Sequence, residues 1–383
     1  MTGLDTASPT PAAFVRRLHY LEGIRGITAS YVLLFHVVQG FLDRPTSTLA
    51  KVIFRLTAFG HEAVAIFIVV SGFCLTLSAA KASSPSAEPV LNLGLGRFAK
   101  RRARRILPPY FASCFVSLAL IALFPLLRST QTGTIWDNSS PAFSVGSLAS
   151  HALLFHHWFP HWKFTINGPL WSVAAEWQIY FLFALLLFPI RKRWGPWAVL
   201  ALSFVIGYAP LWIAPSFAAS AITWYVPLFT LGMCACLGTL KGATPERAWL
   251  SRLSLGIWAS VLAAIVGVFG IIFAQVWFRS APLSDLAVGL ASASVLSALA
   301  HQTANSRRSW LMVLLESRPL VALGDMSYSL YLTHLPVVAL VALSFRGRLG
   351  VGSGEPIAIT VLSLLASLAF GAAFYWSVEK RFL

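Results

Sequence analysis

The sequence predicts an all-helical fold that crosses a membrane about ten times with both termini in the cytoplasm, and three observations carry that prediction. The first is composition: 57% of the 383 residues are hydrophobic and 11% are charged, against roughly 25% charged in soluble domains. The second is the length of the apolar runs, ten of which reach the about 20 residues that a helix needs to cross hydrocarbon. The third is the distribution of basic residues. With both termini inside, the inward segments hold 20 Lys and Arg and the outward segments 8, which leaves Arg25 of the total of 29. Basic loops resist translocation, so this asymmetry sets the orientation. The same rule accounts for the net charge of +16, so membrane lipids are the expected partner and nucleic acid is not.

The ten runs lie near 19–40, 58–80, 106–127, 169–190, 195–214, 221–239, 253–274, 282–300, 320–344 and 355–378. The first follows Arg16 and Arg17 with no cleavage site in reach, so it reads as a retained span and not as a signal peptide. A small-residue cytoplasmic tail over 1–17 then precedes one transmembrane domain over 18–383. The short apolar segment from Ser144 to Phe159 reads as an interfacial or re-entrant helix. Overlapping its end, HHWFPHWKF from His156 to Phe164 reads as an aromatic belt at headgroup level. Cys74, Cys114, Cys234 and Cys236 all lie inside apolar runs. They make neither a disulfide framework nor a zinc spacing, and no metal is expected.

Charged and polar groups within the spans are expensive in lipid, and each is therefore a functional candidate. In the first span Arg25 and His36 are eleven residues apart, which is three helical turns plus about 20°, so both lie on one face with a rise of about 16 Å between them. Before the third span, RFAKRRARRILPPYF places Arg102 and Arg105 three apart on one face, after which Pro108 and Pro109 are expected to interrupt the helix. The pair suits either a topological anchor on anionic lipid or a bidentate grip on a phosphorylated ligand. NGPLWSVAAEW sets Glu176 about a turn inside the fourth span, where a carboxylate needs a cation, a donor or a proton. GDMSYSLYLTHLP puts Tyr331 and His334 on one face of the ninth. Polar glue between helices is the alternative for both clusters.

Taken together these strings resemble the acyltransferase 3 family of integral-membrane enzymes. EGIRGITASYVLLFH, from Glu22 to His36, matches its Arg, ten residues, His signature. AVAIFIVVSGF, the Arg-x-x-Arg of Arg102 and Arg105, NGPLWS with Glu176, and SYSLYLTH follow in the family's order. Ala63 stands where Gly is usual, Glu22 where Asp is commoner, and His61 with Glu62 are unusual. No C-terminal esterase-like domain of the kind some members carry is expected.

The resemblance implies an O-acyltransferase of the bacterial cytoplasmic membrane. It would move an acyl group, by the family's habit acetyl, from acyl-CoA to a hydroxyl of a sugar or glycoconjugate. It also implies roles: His36 as general base with Glu176 in the catalytic set, Arg25, Arg102 and Arg105 toward the donor, and Trp171, Tyr331 and His334 toward the acceptor. A solute transporter and a non-catalytic glycan-binding membrane protein are the competing readings from the span count and the buried charge.

Overall fold

The computed structural model describes residues 18–43, 47–81, 95–239, 280–305, 307–348 and 354–383, with Gly267 and Gly270 between them. The tail over 1–17 and the expected span at 253–274, those two glycines apart, lie outside the described residues. Among the described residues all regular structure is helical. The first apolar run makes α1 (His19–Phe41) without a break, so the eleven-residue spacing of Arg25 and His36 keeps its three-turn geometry. A short amphipathic helix, α2 (Thr48–Leu56), is capped by the Ser47 hydroxyl and turns Leu49, Val52, Ile53 and Leu56 outward. Then come α3 (Gly60–Lys81), α4 (Leu95–Leu123), α5 (Val145–Ala152), α6 (Leu170–Leu182), α7 (Phe188–Tyr208) and the short α8 (Pro210–Ile213). The remainder is α9 (Pro215–Ala221), α10 (Tyr225–Thr239), α11 (Ala281–Ala304), α12 (Trp310–Leu315), α13 (Arg318–Asp325), α14 (Ser327–Phe345) and α15 (Gly354–Ser377), closed by a 3-10 turn over Glu379–Phe382.

Seven of the described helical stretches are long and apolar enough to cross a membrane, or eight if α9 and α10, bent by 50°, make one broken span. The two runs expected near 169–190 and 195–214 are joined in one 44-residue helical stretch, Leu170–Ile213. It holds a single-turn π segment at Phe183–Leu187, and at Gly195 the backbone leaves helical geometry with φ at 84°. One local expectation fails. Pro108 and Pro109 do not interrupt the third span, because α4 runs through both. A proline removes only its own amide bond, here to the carbonyls of Arg104 and Arg105, and those two residues are exposed, where other donors can reach the freed oxygens.

The segments α3 and α15 mark the middle and the edge of the bundle. The apolar window that contains α3 is 78% buried and the one that contains α15 only 28%. Lipid supplies no hydrophobic force between helices, so close contact rests on small residues that let backbones approach. On α3 and α10 the glycines are reciprocal: a Cβ on Gly72 would stand 2.0 Å from the Phe229 carbonyl oxygen, and one on Gly232 1.9 Å from that of Val69. Gly324 does the same at the start of the chain, where a Cβ would come within 1.9 Å of the Glu22 carbonyl and drive α13 off α1. We expect Gly232→Ala to cost about 1–3 kcal/mol through this overpacking. Gly96→Ala, whose Cβ meets nothing within 4 Å, should be neutral or slightly stabilising. Thermal unfolding of the two variants in detergent checks the contrast.

Candidate active site

Around the start of α1, the starts of α4 and α14 and the 3-10 turn at Glu379 lies a cavity of about 470 Å³. Five of the eight residues expected to carry function line it: Arg25, Arg102, Arg105, Glu176 and Tyr331. His36, His334 and Trp171 do not line it. Arg102 and Arg105 reach it together, as a spacing of three on a continuous α4 requires. The Arg102 guanidinium lies 5.9 Å from the ring centroids of both Phe98 and Tyr180. Its buried Nε finds no hydrogen-bond partner among the described residues. A buried guanidinium N–H without an acceptor is costly, and an anionic ligand relieves that cost. Arg25 donates from Nη1 to Glu22 Oε2 at 3.2 Å, one helical turn back, so its charge is already half engaged.

Glu176 is met by two hydroxyls. Ser71 on α3 donates to its Oε1, and Tyr180, four residues on along α6, donates to the same oxygen at 2.6 Å. The i, i+4 spacing of Glu176 and Tyr180 was readable along the chain, whereas Ser71, 105 residues away, was not. Glu379 enters the cavity lining unforeseen, accepting the backbone N–H of Ser329 at 3.0 Å and the hydroxyl of the same residue.

The two imidazoles do not line the cavity and connect to it through Tyr331. Tyr331 is the hinge between the regions: it lines the cavity, shares a 2.6 Å hydrogen bond with the Ser172 hydroxyl, and has its ring 5.9 Å from that of His334. His334 Nδ1 faces two carbonyls, Leu330 at 3.1 Å and Tyr331 at 2.9 Å. Carbonyls only accept, so in the neutral ring this nitrogen carries the proton and Nε2 keeps the lone pair. His334 Nε2 in turn lies 3.1 Å from His36 Nδ1, which also faces the Val32 carbonyl at 2.8 Å. His36 Nδ1 thus sits between two acceptors and must be the N–H. The hydrogen-bond network thereby assigns the lone pair of His36 to Nε2. A neutral imidazole with its tautomer imposed by the protein is equipped to take a proton from a hydroxyl.

Trp171 stacks on His61, with centroids 5.7 Å apart and planes at 15°, and the Lys163 ammonium lies 5.1 Å from the same indole. In the loop that precedes α6, the run expected as an aromatic belt is divided between buried and exposed rings. His151, His156 and His157 are buried while Trp158 and Phe159 remain exposed. Burial lowers the His151 imidazole to about 4 and, with Lys163 adding repulsion, that of His157 to about 3, so both are neutral at pH 7. No group of three or more His, Cys, Asp or Glu placed to hold a metal occurs among the described residues.

The family model for an acyltransferase domain matches residues 18–376. The chain belongs to the acyltransferase 3 family. Acyltransferase MdmB of Streptomyces mycarofaciens is 27% identical over 402 residues, covering 96% of this chain and 92% of that protein. The exopolysaccharide production protein ExoZ of Rhizobium meliloti (strain 1021) is 28% identical over 333 residues, 85% of this chain and 90% of its own. The putative peptidoglycan O-acetyltransferase YrhL of Bacillus subtilis (strain 168) is 25% identical, covering 84% of this chain and 49% of its own. No solved structure matches the chain. Membership of the acyltransferase 3 family makes this an acyltransferase and an integral membrane protein, and it sets the transporter reading aside.

Proposed function

We propose that the protein is an O-acyltransferase of the bacterial cytoplasmic membrane that moves an acyl group, with acetyl the first candidate, from acyl-CoA to a carbohydrate hydroxyl. The observation that carries this reading is the imposed tautomer of His36, which is linked through His334 and Tyr331 to an arginine-lined cavity. A sugar hydroxyl is a poor nucleophile at neutral pH, so a base that removes its proton during attack is the device the reaction needs. In this mechanism the hydroxyl proton passes to His36 Nε2, the oxygen adds to the thioester carbonyl, and the C–S bond breaks as the CoA thiolate leaves and takes up the proton. Arg102 and Arg105 hold the nucleotide phosphates. Arg25, about 16 Å along α1 from the base, stands along the path of the pantetheine arm, and Glu176 orders the wall between them. The names of two relatives, one in exopolysaccharide production and one a putative peptidoglycan O-acetyltransferase, favour a glycan acceptor and, in the second, acetyl.

The membrane reading has ten spans with both termini cytoplasmic, in one transmembrane domain over 18–383 behind the short tail at 1–17. The 44-residue stretch Leu170–Ile213 has twice the length one crossing needs and turns at Gly195. The run expected at 253–274 lies, apart from Gly267 and Gly270, outside the described residues. The basic asymmetry of the loops then places the cavity's arginines on the cytoplasmic side, where acyl-CoA is made.

Purified protein in detergent, given acetyl-CoA and a panel of methyl glycosides, should release CoA thiol in a glycoside-dependent way. Thiol release that no glycoside stimulates overturns the carbohydrate acceptor. Arg102→Lys and Arg105→Lys keep the charge but lose the planar two-donor fork, so calorimetry should show CoA affinity down about fivefold or more in each. Unchanged affinity in both returns these arginines to the role of a topological anchor.

A further inference from the structure

The end of the bundle away from the arginines carries a second polar cluster that the proposed chemistry does not use. Four helices begin there: α3 at Gly60, α6 at Leu170, α10 at Tyr225 and α11 at Ala281. The second residue of α3, His61, meets the Asp285 carboxylate, with Nδ1 2.9 Å from Oδ2 and 3.1 Å from Oδ1. Asp285 also accepts the indole N–H of Trp224 at 2.7 Å and is wholly buried. Beside it the Ser284 hydroxyl donates to Glu62 at 2.9 Å. Three aromatic rings surround the imidazole, with centroids at 5.7 Å for Trp171, 5.8 Å for Tyr225 and 6.4 Å for Trp224.

The pair is asymmetric. The carboxylate is sealed at 0% exposure while the His61 side chain keeps 32%. The desolvation of the buried carboxylate is met by His61 and by the Trp224 N–H, while the imidazole keeps an open face. Here the buried carboxylate holds Nδ1 as the N–H and leaves Nε2 as the acceptor of a partly open ring, which is the arrangement of a ligand-facing histidine. The cluster also lies close to the proposed base. The Phe35 ring packs against Gly60 so closely that a Cβ there would be 2.3 Å away, and Phe35 touches His36 edge-on at 5.0 Å. From Trp171 the neighbouring Ser172 hydroxyl leads through its 2.6 Å bond to Tyr331, then to His334 and His36.

We infer that His61, oriented by Asp285, binds a hydroxyl of the acceptor sugar, which approaches from the end of the bundle opposite the donor's arginines. A polar nitrogen set among aromatic rings is suited to a pyranose, which offers hydroxyls at its edge and C–H groups on its faces. Trp171, engaged by His61 and Lys163, then acts as the support of this subsite. The inference rests on the carbohydrate acceptor proposed above, and its test separates the two. His61→Phe keeps a ring to stack on Trp171 and removes the hydrogen bond, and Asp285→Asn loosens the orientation with little change of shape. With a methyl glycoside that the wild-type protein acylates, His61→Phe should raise the KM for the glycoside about tenfold. Its kcat should stay within about threefold and its CoA affinity within about twofold of wild type, and Asp285→Asn should shift the same KM in the same direction by less. An unchanged glycoside KM in both variants, or a CoA affinity that falls in step with it, overturns the subsite and makes the pair an interhelical strut. If the wild-type protein binds CoA but acylates none of the glycosides, the carbohydrate reading itself falls, and this inference with it.

Discussion

His36→Ala is expected to reduce acyl transfer by about 10²–10⁴-fold, the usual contribution of a positioned general base, while CoA binding measured by calorimetry stays near that of wild type. The two readouts separate because the imidazole acts on the acceptor's proton, and the arginines that face the donor line a cavity that His36 does not. His334 sharpens the test. If its Nε2 holds His36 in the right tautomer, His334→Phe frees His36 Nδ1 from one of its two acceptors while the Val32 carbonyl still holds it. The expected loss is then smaller, about tenfold, and falls on kcat with the donor KM unchanged. A catalytic role for His36 does not survive near-normal turnover in His36→Ala. An acyl group trapped on His36 would instead mark nucleophilic catalysis.

Glu176→Gln should lower turnover by about tenfold to a hundredfold without loss of folded protein. The carboxylate oxygen that accepts from both Ser71 and Tyr180 remains an oxygen in the amide, so shape and most of the hydrogen bonding survive. What disappears is the negative charge beside Tyr180, whose ring also carries the Arg102 guanidinium. The effect should therefore be shared with that unit: Tyr180→Phe combined with Glu176→Gln should cost less than the sum of the two single changes, because neighbours in one network are not additive. Thermal midpoints report folding, and initial rates at saturating CoA donor report chemistry. Full turnover in Glu176→Gln would leave the group as interhelical glue.

Local patterns were legible wherever the physics is local. Apolar length located most of the described helices, although α4 begins at Leu95 and the expected ninth run is divided between α13 and α14, and helical periodicity placed Arg102 beside Arg105 and Arg25 on the face of His36. The same local reasoning misjudged Pro108 and Pro109, because the cost of a proline depends on what else reaches the freed carbonyls, and that is a property of the surroundings. Over His156–Phe164 the rings divide: Trp158, Phe159 and Phe164 stay exposed, whereas His156 and His157 were drawn inside by the packing of the loop, which the sequence did not show.

The sequence by itself determined the solvent this protein lives in, its helices, the faces its charges share and, through ordered motifs, its family, because each depends on neighbours within a few turns of one chain segment. Only the tertiary structure decided which partners those charges meet. His334 adds a second acceptor to His36 Nδ1 from 298 residues away, Ser71 reaches Glu176 across 105, and Asp285 orients His61 across 224. Such pairs are chosen by how helices pack, and packing in a membrane is set by small residues such as Gly72 and Gly232 that carry no chemistry of their own. Their consequence for the site, two imidazoles meeting through Nε2 of one and Nδ1 of the other, appears only when the helices are brought together.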